Sequence, residues 1–102
     1  MAILERRVQR GVKWPEYVAW EKHWAALEAR AGGFPPKRYY ELISGSDDFG
    51  TIVWEREWDS IGASDEAYNR LFSDPEAQKL GSTAHDIYAG ERAEYYRVHH
   101  IV

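Results

Sequence analysis

Residues 51–60, Thr-Ile-Val-Trp-Glu-Arg-Glu-Trp-Asp-Ser (TIVWEREWDS), decide how the rest of the chain is read. Side chains alternate along a strand, so Ile52, Trp54, Arg56 and Trp58 share one face. Thr51, Val53, Glu55, Glu57 and Asp59 share the other. One face is mostly large and apolar and the other mostly acidic, the pattern of a central strand in a sheet covered by helices on one side. The tryptophans are expected on the helix side. Asp59 or Ser60 is a helix-capping residue at the strand's end.

Working upstream, Lys37–Ser44 (KRYYELIS) is rich in β-formers and reads as a strand. Gly45–Gly50 is turn chemistry that joins it to the central strand as an antiparallel hairpin. Before it, Trp14-Pro15-Glu16 marks a helix start, with proline at the first helical position. Tyr17, Trp20, Trp24, Leu27 and Ala31 then fall within an arc of roughly 80° at 100° per residue, with Glu21, Lys22 and Glu28 off that arc. Gly32-Gly33 ends this helix, and Phe34-Pro35-Pro36 prevents it restarting. At the start of the chain, Ala2–Val12 reads as a strand. Leu4, Arg6, Val8 and Arg10 lie on one side, and Ile3, Glu5, Arg7 and Gln9 on the other. Its arginines are expected to pair with acidic residues of the central strand.

Downstream, Ile61–Phe72 reads as a second helix with Ile61, Tyr68, Leu71 and Phe72 as its apolar face. Ser73-Asp74-Pro75-Glu76 stops it and caps a further short helix ending near Leu80. Gly81–Gly90 reads as irregular and Glu91–Val102 as the last strand. The order β-α-β-β-α-β predicts an α+β, ferredoxin-like domain spanning residues 1–102, with a four-stranded antiparallel sheet and both main helices on one face.

Composition narrows the function. The chain has 102 residues, enough for one core without staples, and no cysteine. That removes disulfides, thiolate metal sites and cysteine nucleophiles, and fits a cytoplasmic protein. A net charge of −4 with interspersed signs argues against nucleic acid. No apolar run approaches the ~20 residues of a membrane helix. Glu5, Arg6 and Arg7 break up the first apolar stretch, unlike a secretory signal. Five Trp and seven Tyr are an unusual density, suited to a core, an interface or a ligand cavity. The sheet face away from the helices must mix Leu, Val and Tyr with Arg and Glu. Packing against the same face of a second copy would bury the apolar part and pair the charges, so a homodimer through sheet-to-sheet packing is expected.

The whole chain resembles the dimeric α/β barrel superfamily, and within it the NIPSNAP-like and antibiotic-biosynthesis-monooxygenase-like branches. The resemblance rests on Glu5-Arg6-Arg7, Gly11-Val12-Lys13, Val53-Trp54, Trp58-Asp59-Ser60 and Ser73-Asp74-Pro75. It implies a small organic ligand between sheet and helices or between paired sheets. A small apolar or aromatic molecule, lined by Tyr40, Trp54, Trp58 and Tyr95 with Arg56 beside them, is the preferred reading. The alternatives are a cofactor-free monooxygenase or mutarotase-like isomerase using His23 or His85, and an adaptor dimer without a ligand. In heme-degrading members, an iron-ligating histidine works with a first-strand asparagine, which this chain lacks. His85 therefore reads as a surface residue and no cofactor is expected. His99 and His100 point to opposite sides of a regular strand and cannot share one ion, so no metal is expected. Glu55 and Glu57 are candidate bases if enclosed; an ionic lattice with Arg6, Arg10, Arg38 or Arg97 explains them without chemistry.

Overall fold

The structure is a computed structural model that describes residues 2–101. Its elements are β1 (Ile3–Arg10), α1 (Glu16–Ala31), β2 (Arg38–Glu41), β3 (Ile52–Trp58), α2 (Ile61–Phe72), α3 (Pro75–Gly81), a single 3-10 turn at Ala84–Asp86, and β4 (Gly90–Arg97). The strands form one antiparallel sheet in the order β2-β3-β1-β4. This is the expected ferredoxin-like α+β layout.

Ile52, Trp54, Arg56 and Trp58 are all buried on the helix side of β3. The register sets Glu5 opposite Arg56, Arg7 opposite Trp54 and Gln9 opposite Ile52, so these β1 residues also face the helices. Leu4, Arg6, Val8, Val53, Glu55, Arg92, Glu94 and Tyr96 share the uncovered face. There Arg6 pairs with Glu55 at 3.7 Å, the cross-strand partnership expected from sequence.

Local chemistry accounts for the boundaries. Gly11, at φ 64°, ends β1, and a Cβ there would lie 2.9 Å from that of Ala89. Helix α1 begins one residue after Pro15, which takes the cap position without a side-chain bond. It ends at Gly32, φ 82°, where Arg70 of α2 donates to the carbonyls of Gly32 (2.9 Å) and Ala31 (3.3 Å). Ser60 caps α2 by accepting from Ala63 N at 3.0 Å, and Asp74 caps α3 by accepting from Glu76 N at 2.9 Å.

Three expectations need correction. Strand β2 is four residues long rather than Lys37–Ser44, because the chain turns away after Leu42 N reaches Thr51 O. Strand β4 ends at Arg97, which pairs with Ile3 at the start of β1; one further backbone bond, Val98 N to Ala2 O at 3.1 Å, follows, and His99 and His100 lie outside any strand. Val102, the end of the expected strand, lies outside the described residues. Glu21, placed off the apolar arc, is buried on α1 together with Tyr17, Trp20, Trp24 and Leu27, because Lys37 and Tyr39 both donate to its Oε1. No helix among the described residues is long and apolar enough to cross a membrane.

Candidate functional site

A cavity of about 280 Å³ lies between the helix side of the sheet and α1, α2 and the segment that follows α3. Arg7 and Gln9 from β1, Trp54 from β3 and Glu91 from β4 form its sheet-side floor. Trp20, Glu21, Trp24 and Glu28 descend from α1, and Tyr68, Leu71 and Phe72 from α2. They reach one space because residues three, four, seven and eight apart share a helix face. Lys37, Gly81, Ala84 and Tyr88 complete the lining, and the space is partly open to solvent.

The floor is an ordered polar row. Glu91 accepts from Arg7 Nη1 at 3.1 Å, Gln9 Nε2 at 2.8 Å and the Tyr88 hydroxyl at 3.2 Å. Gln9 in turn accepts from the buried Tyr17 hydroxyl at 2.7 Å. Behind the floor sits Glu5, with no exposed surface. It accepts from Trp58 Nε1 at 2.9 Å, from the Tyr68 hydroxyl at 2.6 Å and from Arg7 Nε at 2.9 Å. Opposite, Glu21 Oε1 accepts from Lys37 Nζ at 2.9 Å and from the Tyr39 hydroxyl, and Glu28 Oε2 accepts from Arg56 Nη2 at 2.9 Å.

Cations crowd Trp54. Lys37 Nζ lies 4.2 Å from the ring centroid, with the Arg56 and Arg7 guanidinium carbons at 4.8 and 5.7 Å. The Trp54 Nε1 is itself buried without an acceptor. The walls are packed aromatic rings: Trp20 meets Trp24 and Tyr88 edge-on at 5.8 and 5.6 Å between centroids, and Trp24 meets Phe72 at 5.8 Å. Burial, reinforced by nearby carboxylates, holds the Tyr17, Tyr68 and Tyr88 phenols well above the ordinary tyrosine pKa. They stay neutral donors and cannot serve as tyrosinate bases. Burial opposes the charge of Arg7, but the Glu5 and Glu91 carboxylates outweigh it and keep the guanidinium charged.

The structure separates the residues singled out from sequence. Trp54 lines the cavity. Trp58 and Arg56 are sealed behind it: Trp58 packs on Phe34 and Tyr68, while Arg56 has these same rings and Trp54 around its guanidinium. Tyr95 is on the helix side but away from the cavity, its hydroxyl 3.3 Å from Ser64 Oγ. Tyr40 corrects the shared lining: its register partner is Val53, so it points from the uncovered face and flanks a shallow groove with Arg6 and Glu55. His23 lies on the outer surface, 3.3 Å from Glu76, and His85 beside Asp86 is more exposed still; neither reaches the cavity. Glu55 is on the uncovered face and Glu57 is exposed. Among the described residues no group of three His, Cys, Asp or Glu is placed to hold a metal.

The polar lining residues Arg7, Gln9, Glu21, Glu28, Lys37 and Glu91 were not singled out. The available signal was Ile3, Glu5, Arg7 and Gln9 in alternation on β1. Registered against the Trp54 face of β3, that set places three polar groups on the helix side.

No family model matches the sequence, and no curated protein is significantly similar to it. Solved structures are similar in shape. A protein from Agrobacterium tumefaciens superimposes with a TM-score of 0.73 at 19% identity, over 93% of this chain and 91% of that one; another crystal structure of it is described as a NIPSNAP family protein of unknown function. A second NIPSNAP family protein from the same bacterium gives 0.71 at 14% identity, covering 95% of this chain and 92% of the other. SnoaB, a cofactor-independent oxygenase from Streptomyces nogalater, gives 0.67 at 13% identity, covering 99% and 95%. At such identities the shared property is the fold. The chain therefore has the ferredoxin-like α+β fold found in NIPSNAP family proteins and in SnoaB.

Proposed function

We propose that this protein binds a small planar aromatic molecule in the cavity between its sheet and helices. The observation that carries this reading is the aromatic enclosure of Trp20, Trp24, Trp54, Phe72 and Tyr88 over an ordered polar floor. Few, well-placed polar groups in an apolar wall are what orient a ligand. Size limits the class. An engineered cavity of roughly 150 Å³ takes one benzene ring, so about 280 Å³ suits two fused rings.

A homodimer belongs to the same reading. The uncovered face presents Tyr40 and Tyr96, 46% and 42% exposed, among Arg6, Arg38, Glu55 and Glu94, a mixed surface that a second copy complements. The SnoaB-like fold is compatible with oxygenase chemistry, but both histidines lie outside the cavity, so an enzyme working through His23 or His85 is the weaker reading.

The test is calorimetric titration with a panel of two-ring aromatics, on the native chain and on Ala84→Phe, which would fill the cavity. Micromolar binding of at least one compound, lost in a variant with unchanged melting temperature, supports the reading. Absence of binding across the panel, or binding indifferent to Ala84→Phe, would overturn it. Sedimentation velocity of the native chain and of a Tyr40→Glu, Val53→Glu double variant tests the dimer: a native monomer at tens of micromolar defeats that part.

A further inference from the structure

One hydrogen-bond donor in the cavity lining is left over. Among the described residues, the Trp54 indole Nε1 is the lining side-chain atom that is both buried and without a hydrogen-bond partner. The residue as a whole is 5% exposed. Neighbouring indoles are served from within the protein: Trp58 Nε1 donates to Glu5 at 2.9 Å and Trp20 Nε1 to Thr83 Oγ1 at 3.3 Å. The strands beside Trp54 supply no such acceptor. Its register partners are Arg7 and Tyr39, and both are donors to carboxylates, Arg7 to Glu5 and Glu91 and the Tyr39 hydroxyl to Glu21. Lys37, Arg56 and Arg7, grouped around the ring, have only donors to offer. The cavity is the side from which an acceptor can arrive.

A buried N–H without an acceptor is costly, and an oxygen brought in by a ligand removes that cost. We infer that Trp54 is the recognition donor of the cavity and that the ligand is an aromatic molecule carrying a neutral carbonyl oxygen, which accepts from Trp54 Nε1 while its rings lie among the other aromatic walls. Neutrality follows from the ion pairs. Arg7 is held by Glu5 and Glu91, Lys37 by Glu21, and Arg56 by Glu28. An anionic ligand therefore finds no uncommitted cation and meets Glu21, Glu28 and Glu91 in the lining. A ligand that offers only donors leaves the indole unpaired. This inference rests on the cavity being the binding site, as proposed above, and adds the polar group that the ligand must carry.

The experiment compares three ligands on one two-ring frame: 1-indanone, indane and indane-1-carboxylate, the last ionised at pH 7. Affinities are measured by calorimetry, and the indole N–H proton resonances are followed by NMR, that of Trp54 being assigned through its backbone connectivities. Binding of 1-indanone should move the Trp54 N–H resonance downfield, and binding of indane should not. In Trp54→Phe the indanone-to-indane affinity ratio should fall about three- to tenfold. That ratio is insensitive to a general loosening of the site, which weakens both ligands together. Indane-1-carboxylate should bind more weakly than 1-indanone. If Trp54→Phe does not fold, the resonance in the native chain decides. A Trp54 resonance unmoved by bound 1-indanone, a ratio unchanged in folded Trp54→Phe, or tighter binding of the carboxylate overturns the inference and leaves the aromatic cavity standing. Failure of all three to bind overturns both.

Discussion

Arg6 and Arg56 lie on opposite faces of one β1–β3 ladder, and each meets a carboxylate. On the uncovered face, Arg6 Nε is 3.7 Å from Glu55 and is itself covered without a hydrogen-bond partner among the described residues, while 40% and 24% of the two side chains are exposed. On the helix face, Arg56 has no exposed side chain and holds Glu28 at 2.9 Å, with Glu5 at 3.8 Å. The residue types are the same and the physics is not. A partly exposed pair at 3.7 Å is screened by water around its remaining surface and contributes little. A sealed pair depends on every partner, because the charge left behind by a substitution has no solvent to return to. The helix face is therefore a fixed frame that holds the cavity's Glu28 and Arg7 in place. The uncovered face is the more tolerant surface.

The sharpest way to break this contrast is to remove one arginine at a time. Arg56→Met should lose about 3–5 kcal/mol of stability, because buried Glu28 loses its 2.9 Å partner and Glu5 is left with Arg7 as its one cation, measured by urea unfolding. Arg6→Met should change it by less than about 1 kcal/mol. Equal losses would erase the distinction.

A milder version uses hydroxyls. Tyr68→Phe removes a bond to fully buried Glu5 and should cost about 1–3 kcal/mol. Tyr96→Phe, on the uncovered face, should stay within about 0.5 kcal/mol in a monomeric reference state. The same denaturation curves decide it.

The smallest effect near neutrality is in alkaline solution. Because Tyr17, Tyr68 and Tyr88 have folded-state pKa values raised above their unfolded value, the stability they contribute is complete below about pH 10 and declines as pH rises beyond it. Tyrosinate absorbance should show these phenols ionising together with unfolding. Early ionisation in a still-folded chain would show the floor to be wet.

The periodicity of residues 51–60, the Gly32-Gly33 stop and the Ser60 and Asp74 caps were legible because each is a local property: alternation, backbone freedom, one short hydrogen bond. Trp54 was legible as a lining residue for the same reason, as a large ring on the covered side of a central strand.

What the linear chain determined by itself is the element order, the helix-facing side of β3 and a mixed charge pattern on the opposite face. Only the tertiary structure decided that Glu21 goes inside, that Tyr40 belongs to the other face from Trp54, and that Arg7, Gln9 and Glu91 form one row. Each of these depends on a partner distant in sequence, such as Lys37 for Glu21 or Glu91 for Gln9. A charged side chain is buried or exposed according to the counter-charge that folding brings to it, and no local pattern encodes that partner.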